Sequence, residues 1–356
     1  MTVTAVSAGV VEHRLAGAGH RLAPPQDAPP LRWGVIGAGW IADVFARSVL
    51  GHTRSTVQSI ASRDAHRGNL YAKKFSVPSV RSGDGAYDRL VEDPLVDAVY
   101  IATPHALHHE HALLAIAAGK PVLVEKAFTR NAAEARAVLD AARTAGVFVM
   151  EAMWTRFLPH MIEARRLVAE GVIGDVVHVS ADFGGSPAYD PADRNFNPEL
   201  AGGALLDLGV YPVNFVHDFL GAPAAVRAIG GLAPTGVDLR ETIVLNYPSR
   251  RAMGTALSSF QVDTARLASI SGTEGRIDFG HEYYRPTSFT LTRAGRREVR
   301  FTQTTELGWQ FQVAEVARCV RAGTLESEVM SHSDTLEVME VLDEARRQLG
   351  VTYPGE

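Results

Sequence analysis

The sequence predicts an α/β protein: a doubly wound parallel-sheet domain followed by an α+β domain with an antiparallel sheet. Three observations predict it: strands alternating with helices of roughly a dozen residues between Leu31 and Glu151, a glycine-rich turn at the first strand-to-helix junction, and several extended runs at short spacing after Glu151. A length of 356 residues exceeds one ordinary core and suggests two domains, since single domains cluster near ~100–150 residues.

Residues 1–30 are rich in Gly, Ala and Pro and end in Ala23-Pro24-Pro25-Gln26-Asp27-Ala28-Pro29-Pro30; proline removes backbone donors, so this stretch reads as a disordered arm. Residues 31–151 form the first domain. Leu31–Gly37 reads as a buried strand, Trp40–Leu50 as a helix and Thr56–Ser62 as a second strand. The alternation continues through a helix at Asp64–Phe75, strand Val96–Ala102, helix His105–Ala118, strand Pro121–Glu125, helix Ala132–Ala145 and strand Val147–Glu151. Residues 152–356 form the second domain. It holds a helix near Pro159–Glu170, a strand at Asp175–Phe183, a helix across Gly203–Leu220, and extended runs at Ala224–Gly230, Glu241–Tyr247, Ala252–Phe260, Leu267–Ser271 and Phe289–Thr292. Amphipathic helices at Trp309–Ala322 and Asp334–Leu349 close it; a C-terminal helix could pack back on the first domain.

Composition narrows the function. Hydrophobic residues at 46% and charged residues at 21% are globular values. The formal net charge of -5 gives no attraction to nucleic acid or anionic lipid, and no stretch is apolar enough to span a bilayer. The single cysteine, Cys319, allows no intrachain disulfide, which fits a reducing, cytoplasmic setting. His105, His108, His109 and His111 are dense, but no carboxylate or cysteine set with ligand spacing joins them, so no metal site is expected.

Gly37-Ala38-Gly39-Trp40-Ile41-Ala42 is a GxGxxA turn after a strand and at the mouth of a helix. Gly37 permits the tight turn, Gly39 lets backbone amides approach a pyrophosphate, and small Ala42 allows close helix-to-strand packing, as in a Rossmann dinucleotide site. At the end of the second strand, where an NAD-binding protein would carry an acid, stand Ser62 and Arg63, with Arg67 one turn on. A hydroxyl and guanidinium can donate to a 2′-phosphate, so NADP is favoured, with NAD possible. Asp64 reads as the cap of the next helix.

Lys126 follows a strand at the edge where open α/β sheets place ligands. Asp207 and Tyr211, four residues apart in a glycine-rich segment, share one helix face. Tyrosine, with a pKa near ~10, becomes a usable acid or base when a nearby ammonium stabilises its phenolate, and Lys126 is the candidate ammonium. The amine and the phenol are expected to meet over a bound pyridine ring. Trp154, Arg156 and Phe157 are an aromatic and guanidinium set suited to a sugar or diol, or equally to packing between domains.

The glycine turn, Thr103-Pro104-His105 with His108, Gly119-Lys120-Pro121, Glu125-Lys126 and the Asp207–Tyr211 block together resemble the glucose-fructose oxidoreductase, inositol dehydrogenase and MocA superfamily from about Leu31 to the C-terminus. Glu151–Phe157 and Leu206–Pro212 are similar to its dihydrodiol dehydrogenase and NADP-dependent xylose dehydrogenase subgroup. The resemblance implies a Rossmann domain and a second domain on an open, mostly antiparallel sheet often used for dimer contact, hence a homodimer or homotetramer. It also implies that Thr103, Pro104, His105, His108 and Glu125 lie at the cofactor, that Lys126 contacts nicotinamide ribose and substrate hydroxyl, that Tyr211 is the acid/base and that Asp207 helps hold the substrate. The expected activity is hydride transfer between NADP and a hydroxyl-bearing carbon of a sugar, polyol or trans-dihydrodiol. A catalytically silent NADP-binding regulator and an NAD-dependent glycoside hydrolase of the same superfamily are the alternatives. The family usually has proline after the lysine; here stands Ala127, so the Lys126–Ala127 bond is expected to be trans.

Overall fold

The computed structural model describes residues 3–7, 10–15, 23–303 and 305–356. The chain divides into two compact units: Leu22–Trp154 with Leu307–Leu336, here the first unit, and Met1–Arg21, Thr155–Glu306 with Glu337–Glu356, the second.

The chain opens with strands Val3–Ser7 (β1) and Val10–Leu15 (β2). The first unit then runs β3 (Arg32–Ile36), α1 (Trp40–His52), β4 (Thr56–Ser62), α2 (Ala65–Phe75), β5 (Ser79–Ser82), α3 (Ala86–Val91), β6 (Ala98–Ile101), α4 (His108–Ala117), β7 (Val122–Val124), α5 (Ala132–Ala145) and β8 (Val149–Glu151). Six parallel strands lie in the order β5-β4-β3-β6-β7-β8. The winding reverses between β3 and β6, the switch point at which open α/β sheets bind ligands. Strands β6, β7 and β8 are buried at every residue, as a sheet covered on both faces requires. Their core includes Phe45 stacked on Tyr100 at 3.8 Å and edge-on to Trp33 at 5.2 Å.

Local chemistry sets the helix ends. Asp64 caps α2 by accepting from the His66 and Arg67 amides, so it serves as a cap. Asn131 caps α5 through the Glu134 amide at 2.9 Å, and Gly146 ends that helix in the left-handed conformation.

The second unit contains α6 (Pro159–Ala169), β9 (Val176–Gly184), α7 (Val210–Leu220), β10 (Ala225–Leu232), β11 (Asp238–Tyr247), β12 (Ala252–Ser259), β13 (Ala268–Gly272), β14 (Gly275–Phe279), β15 (Ser288–Arg293) and β16 (Glu298–Gln303). Its sheet has the order β1-β2-β16-β15-β14-β13-β9-β12-β11-β10, antiparallel except where β9 meets β12 and β2 meets β16. Helix α7 packs on β9 and β12. The last helices are α8 (Trp309–Ala322) and α9 (His332–Leu349).

Two boundaries differ from the sequence reading. The expected disordered arm contains β1 and β2, which pair with each other and extend the sheet beyond β16; the β-branched Val3, Thr4, Val6, Val10 and Val11 favour strand over the Gly and Ala around them. Residues Leu307–Leu336, assigned from sequence to the second domain, belong to the first unit, where α8 packs on α1. The Val149 amide donates to the Leu325 carbonyl at 3.1 Å and His332 Nε2 meets the Val149 carbonyl at 3.0 Å, so this segment covers the open edge of β8.

Gly37 stands at φ +101°, and a Cβ there would lie 2.7 Å from the Ala102 carbonyl oxygen. Gly37→Ala is therefore expected to cost about 1–3 kcal/mol in urea unfolding; an unchanged midpoint would show that the turn does not need glycine.

Candidate active site

In the first unit, the turn Gly37–Ala42 links β3 to α1 at the switch point. Gly39 caps α1 without a side-chain bond, and an added Cβ at Gly39 would meet nothing within 4 Å. An open backbone cradle at the start of a 13-residue helix, with its first amides directed outward, fits a dinucleotide pyrophosphate. Trp40, the first helical residue, is 70% exposed, Ile41 is half-buried, and Ala42 is buried against the sheet as the close packing demands.

At the end of β4, Ser62 is buried while Arg63 and Arg67 are exposed on the same edge. Arg63 bonds Tyr87; burial pushes that phenol up, and the guanidinium beside it pulls the other way. Tyr87 was not singled out by the sequence because a lone tyrosine in a short helix carries no signal. These groups fit the adenosine end of an NADP molecule.

The loops after β6 and β7 are tied together by His108. Its Nδ1 lies 2.9 Å from the Ala127 carbonyl and its Nε2 2.7 Å from the Thr103 carbonyl, and it is wholly buried. Burial drives the ring toward the neutral form, and the Lys126 ammonium pushes the same way. Thr103 Oγ1 meets His111 Nδ1 at 3.1 Å, and buried His105 lies edge-on to His108. Pro104 leads the half-exposed turn beside them. Both ring nitrogens of His108 are thus directed at backbone carbonyls of the two loops. Glu125 is buried and accepts from the Tyr100 hydroxyl, so it holds the strand end in place. Lys126 is half-buried directly after β7. The Lys126–Ala127 peptide, expected to be trans, is cis.

In the second unit, the predicted regular helix across Gly203–Leu220 is instead a five-residue π-turn, Leu205–Gly209, followed by α7. Asp207 lies in the π-turn and Tyr211 in the first turn of α7; both are half-buried among buried neighbours. Arg194, in the loop before the π-turn, reaches Asp207 at 3.3 and 3.4 Å. The Asp207 charge holds the Arg194 guanidinium firmly protonated, and Tyr211 acts in the same direction. A cation therefore stands beside Asp207 and Tyr211 within this unit, a role the sequence reading gave to Lys126 alone. No spacing rule marks Arg194, thirteen positions before Asp207 in an irregular loop.

Aromatic rings frame Tyr211: Phe183 at 5.4 Å and Tyr284 at 5.6 Å, themselves stacked at 4.1 Å. Burial pushes the Tyr284 phenol up to about 12 and the Tyr283 phenol well above the ordinary range, which removes both from proton exchange near neutrality.

Trp154, Arg156 and Phe157, offered as substrate contacts, are all buried. Trp154 stacks on Trp309 at 3.8 Å. Arg156 donates to Asn214 Oδ1 at 2.8 Å, meets His217 Nδ1 at 3.1 Å and lies 3.9 Å from Asp218. A buried guanidinium must be paired, and α7 supplies partners for Arg156. Among the described residues no group of His, Cys, Asp and Glu could hold a metal ion, and no helix is long and apolar enough to cross a membrane.

Residues 31–153 match the oxidoreductase family with an NAD-binding Rossmann fold, and residues 161–278 match the GFO/IDH/MocA C-terminal domain. Mouse trans-1,2-dihydrobenzene-1,2-diol dehydrogenase is 35% identical over 336 residues, 91% of this chain and 98% of its own length. The chain belongs to the GFO/IDH/MocA oxidoreductase family. Another relative is D-xylose 1-dehydrogenase (NADP(+)) of Hypocrea jecorina, 33% identical over 91% of this chain and 93% of its own. Among solved structures, aldose-aldose oxidoreductase from Caulobacter crescentus, complexed with glycerol, aligns with a TM-score of 0.81 at 25% identity over 90% of this chain and 98% of its own. A 3-ketoreductase from Actinomadura kijaniata, in complex with NADP and TDP-benzene, gives 0.79 at 25% identity over the same shares. Family membership makes the chain an NAD(P)-binding oxidoreductase of two units: a parallel Rossmann sheet and a mostly antiparallel one.

Burial, His108 and Arg63 lower the His111 pKa from 6.5 to about 4. Its imidazole stays neutral in the folded state while the unfolded chain takes up a proton, so this contribution to stability is present above pH 6.5 and is lost as pH falls toward about 4. Thermal unfolding across that window should show a falling midpoint that flattens in His111→Gln; equal slopes in the two proteins would contradict the assignment.

Proposed function

We propose that the protein is an NADP-preferring dehydrogenase or reductase acting on a hydroxyl-bearing carbon of a sugar, polyol or trans-dihydrodiol. The observation that carries this reading is the half-buried edge shared by Asp207 and Tyr211 with the Arg194 guanidinium beside them, in a unit where the neighbouring phenols are held protonated. A phenol flanked by positive charge is suited to move a proton at neutral pH. The names of the relatives, one a diol dehydrogenase and one an NADP-dependent xylose dehydrogenase, support the substrate class and the cofactor.

Bound NADP would supply or accept the hydride at nicotinamide C4. The Gly37–Ala42 turn holds its pyrophosphate, and Ser62, Arg63 and Arg67 hold the 2′-phosphate. Tyr211 Oη gives or takes the hydroxyl proton, Lys126 Nζ and Arg194 stabilise the phenolate, and Asp207 orients the substrate hydroxyl and fixes Arg194. Assembly into a homodimer or homotetramer through the antiparallel sheet accompanies this reading.

A screen of pentoses, hexoses, inositols and trans-dihydrodiols with NADP+ should show net formation of reduced nicotinamide. Tyr211→Phe and Lys126→Met should each lower turnover about 100-fold or more with NADPH affinity unchanged. Near-normal turnover in Tyr211→Phe would remove the assignment. Fluorescence titration should show NADPH binding more tightly than NADH, a preference abolished in Arg63→Ala; equal affinities in the unmodified protein would defeat the NADP reading.

A further inference from the structure

Beneath the π-turn lies a pair of carboxyl groups that the proposed reaction does not use. Asp238 is fully buried and Glu241 is 2% exposed, both on β11. Residues three apart on a strand point to opposite faces. Here the pairing of β11 with β10 skips Leu239: Gly231 faces Arg240 and Leu232 faces Asp238. This bulge turns both carboxyl groups inward.

The pair holds the π-turn at its two ends. Asp238 Oδ2 accepts from the Leu205 amide at 2.5 Å, at the first residue of the turn. Glu241 Oε1 accepts from Ser258 Oγ, and that hydroxyl lies where any Cβ at Gly209, the last residue of the turn, would stand. Gly203, at φ +121°, packs its bare Cα against Asp238, where a Cβ would overlap the carboxylate. The glycines on either side of Asp207 thus make room for these two acids.

The remaining oxygens, Asp238 Oδ1 and Glu241 Oε2, receive no donor from any other group. Two buried acids left with one orphaned oxygen each can satisfy both only if one of them carries a proton and donates it. Two carboxylates this close in a dry site cannot both be ionised. The charged groups facing them come from the C-terminal segment. Arg346 attracts Asp238 while pairing with Asp343 and Glu356, and its guanidinium covers the Tyr353 ring, whose hydroxyl donates to the Gly202 carbonyl at 2.7 Å. On β11, Arg240 is turned outward to Gln261. Burial pushes both acids up, and at Glu241 the Asp238 charge adds to it, so the pair carries a proton at neutral pH, with Glu241 as its holder.

We propose that Asp238 and Glu241 share one proton as a brace under Leu205–Gly209, and that this brace positions Asp207 and Tyr211 for proton transfer. The positioning role rests on the function proposed for Tyr211; the shared proton does not. A π-turn offsets the residues after it relative to an α-helix, so its geometry sets the direction in which Tyr211 projects.

Infrared difference spectra of the intact protein against Glu241→Gln should contain the carbonyl stretch of a protonated carboxylic acid at neutral pH. Because the folded pair binds a proton that the unfolded chain releases above the ordinary carboxylate range, the stability of the intact protein relative to Glu241→Gln should fall as pH rises from ~5 to ~8. Glu241→Gln, which still donates to Asp238, should keep kcat within about threefold, whereas Glu241→Leu should lose about 10- to 100-fold in kcat with NADPH affinity unchanged. If Glu241→Leu does not fold, Ser258→Ala, which removes the hydroxyl bonded to Glu241, should show the same loss. Absence of the infrared band would overturn the shared proton whatever the activity. A folded Glu241→Leu or Ser258→Ala with wild-type kcat would overturn the positioning role. Full turnover in Tyr211→Phe alongside the band would remove the function assigned to Tyr211, and the positioning role with it.

Discussion

The Ala102 carbonyl sets the geometry of the nucleotide edge. It closes so tightly on Gly37 that only a bare Cα fits, and the chain must leave β3 at positive φ before entering α1. That exit aims the start of α1 outward at the reversal of strand order, with no side chain capping it and open space at Gly39. The other first-unit features serve the same edge: Asp64 caps α2 and leaves Arg63 and Arg67 exposed, and His108 ties the loops after β6 and β7 through the Thr103 and Ala127 carbonyls. A protein binding a polyanion with net charge -5 must concentrate its attraction in backbone amides and a few guanidinium groups.

The second unit solves a different problem: presenting polar groups on a helix that is otherwise buried. Nearly all of α7 is packed away, including Asn214 and His217, which pair with Arg156. Only near its start do Asp207 and Tyr211 reach the surface together, and there the backbone departs from α-helical spacing. Strained or irregular turns are held by what surrounds them. Here that support is a bulged strand and two buried acids. Thus the π-turn, the β11 bulge and the buried carboxyl pair occur at one place, beside Asp207 and Tyr211.

Much of this was legible in the sequence because periodicity and turn chemistry are local. Thr56–Ser62 and Trp309–Ala322 have the predicted bounds, and most other elements shift by a residue or two. The GxGxxA turn announced its structure because each glycine answers a specific steric demand. What escaped depends on tertiary partners. β1 and β2 are strands only because an edge of the sheet receives them. Strands β5, β14 and β16 are short and weakly patterned. The partners of Arg156 on α7 lie about 60 positions away in the chain, beyond any local pattern, and Arg194 had no marker at all. The π-turn is invisible to a spacing argument that presumes 3.6 residues per turn.

The proposed reaction passes a hydride between the cofactor and a carbon of the substrate in a net redox step, not in a closed cycle. The most direct measurement is mass spectrometry of the product formed from a ketose, aldose or diketone acceptor with NADPH deuterated at the transferring face of C4. The account predicts one deuterium on the new carbinol carbon and stoichiometric formation of NADP+. Turnover of substrate with the label still on the nicotinamide and no NADP+ accumulating would contradict it.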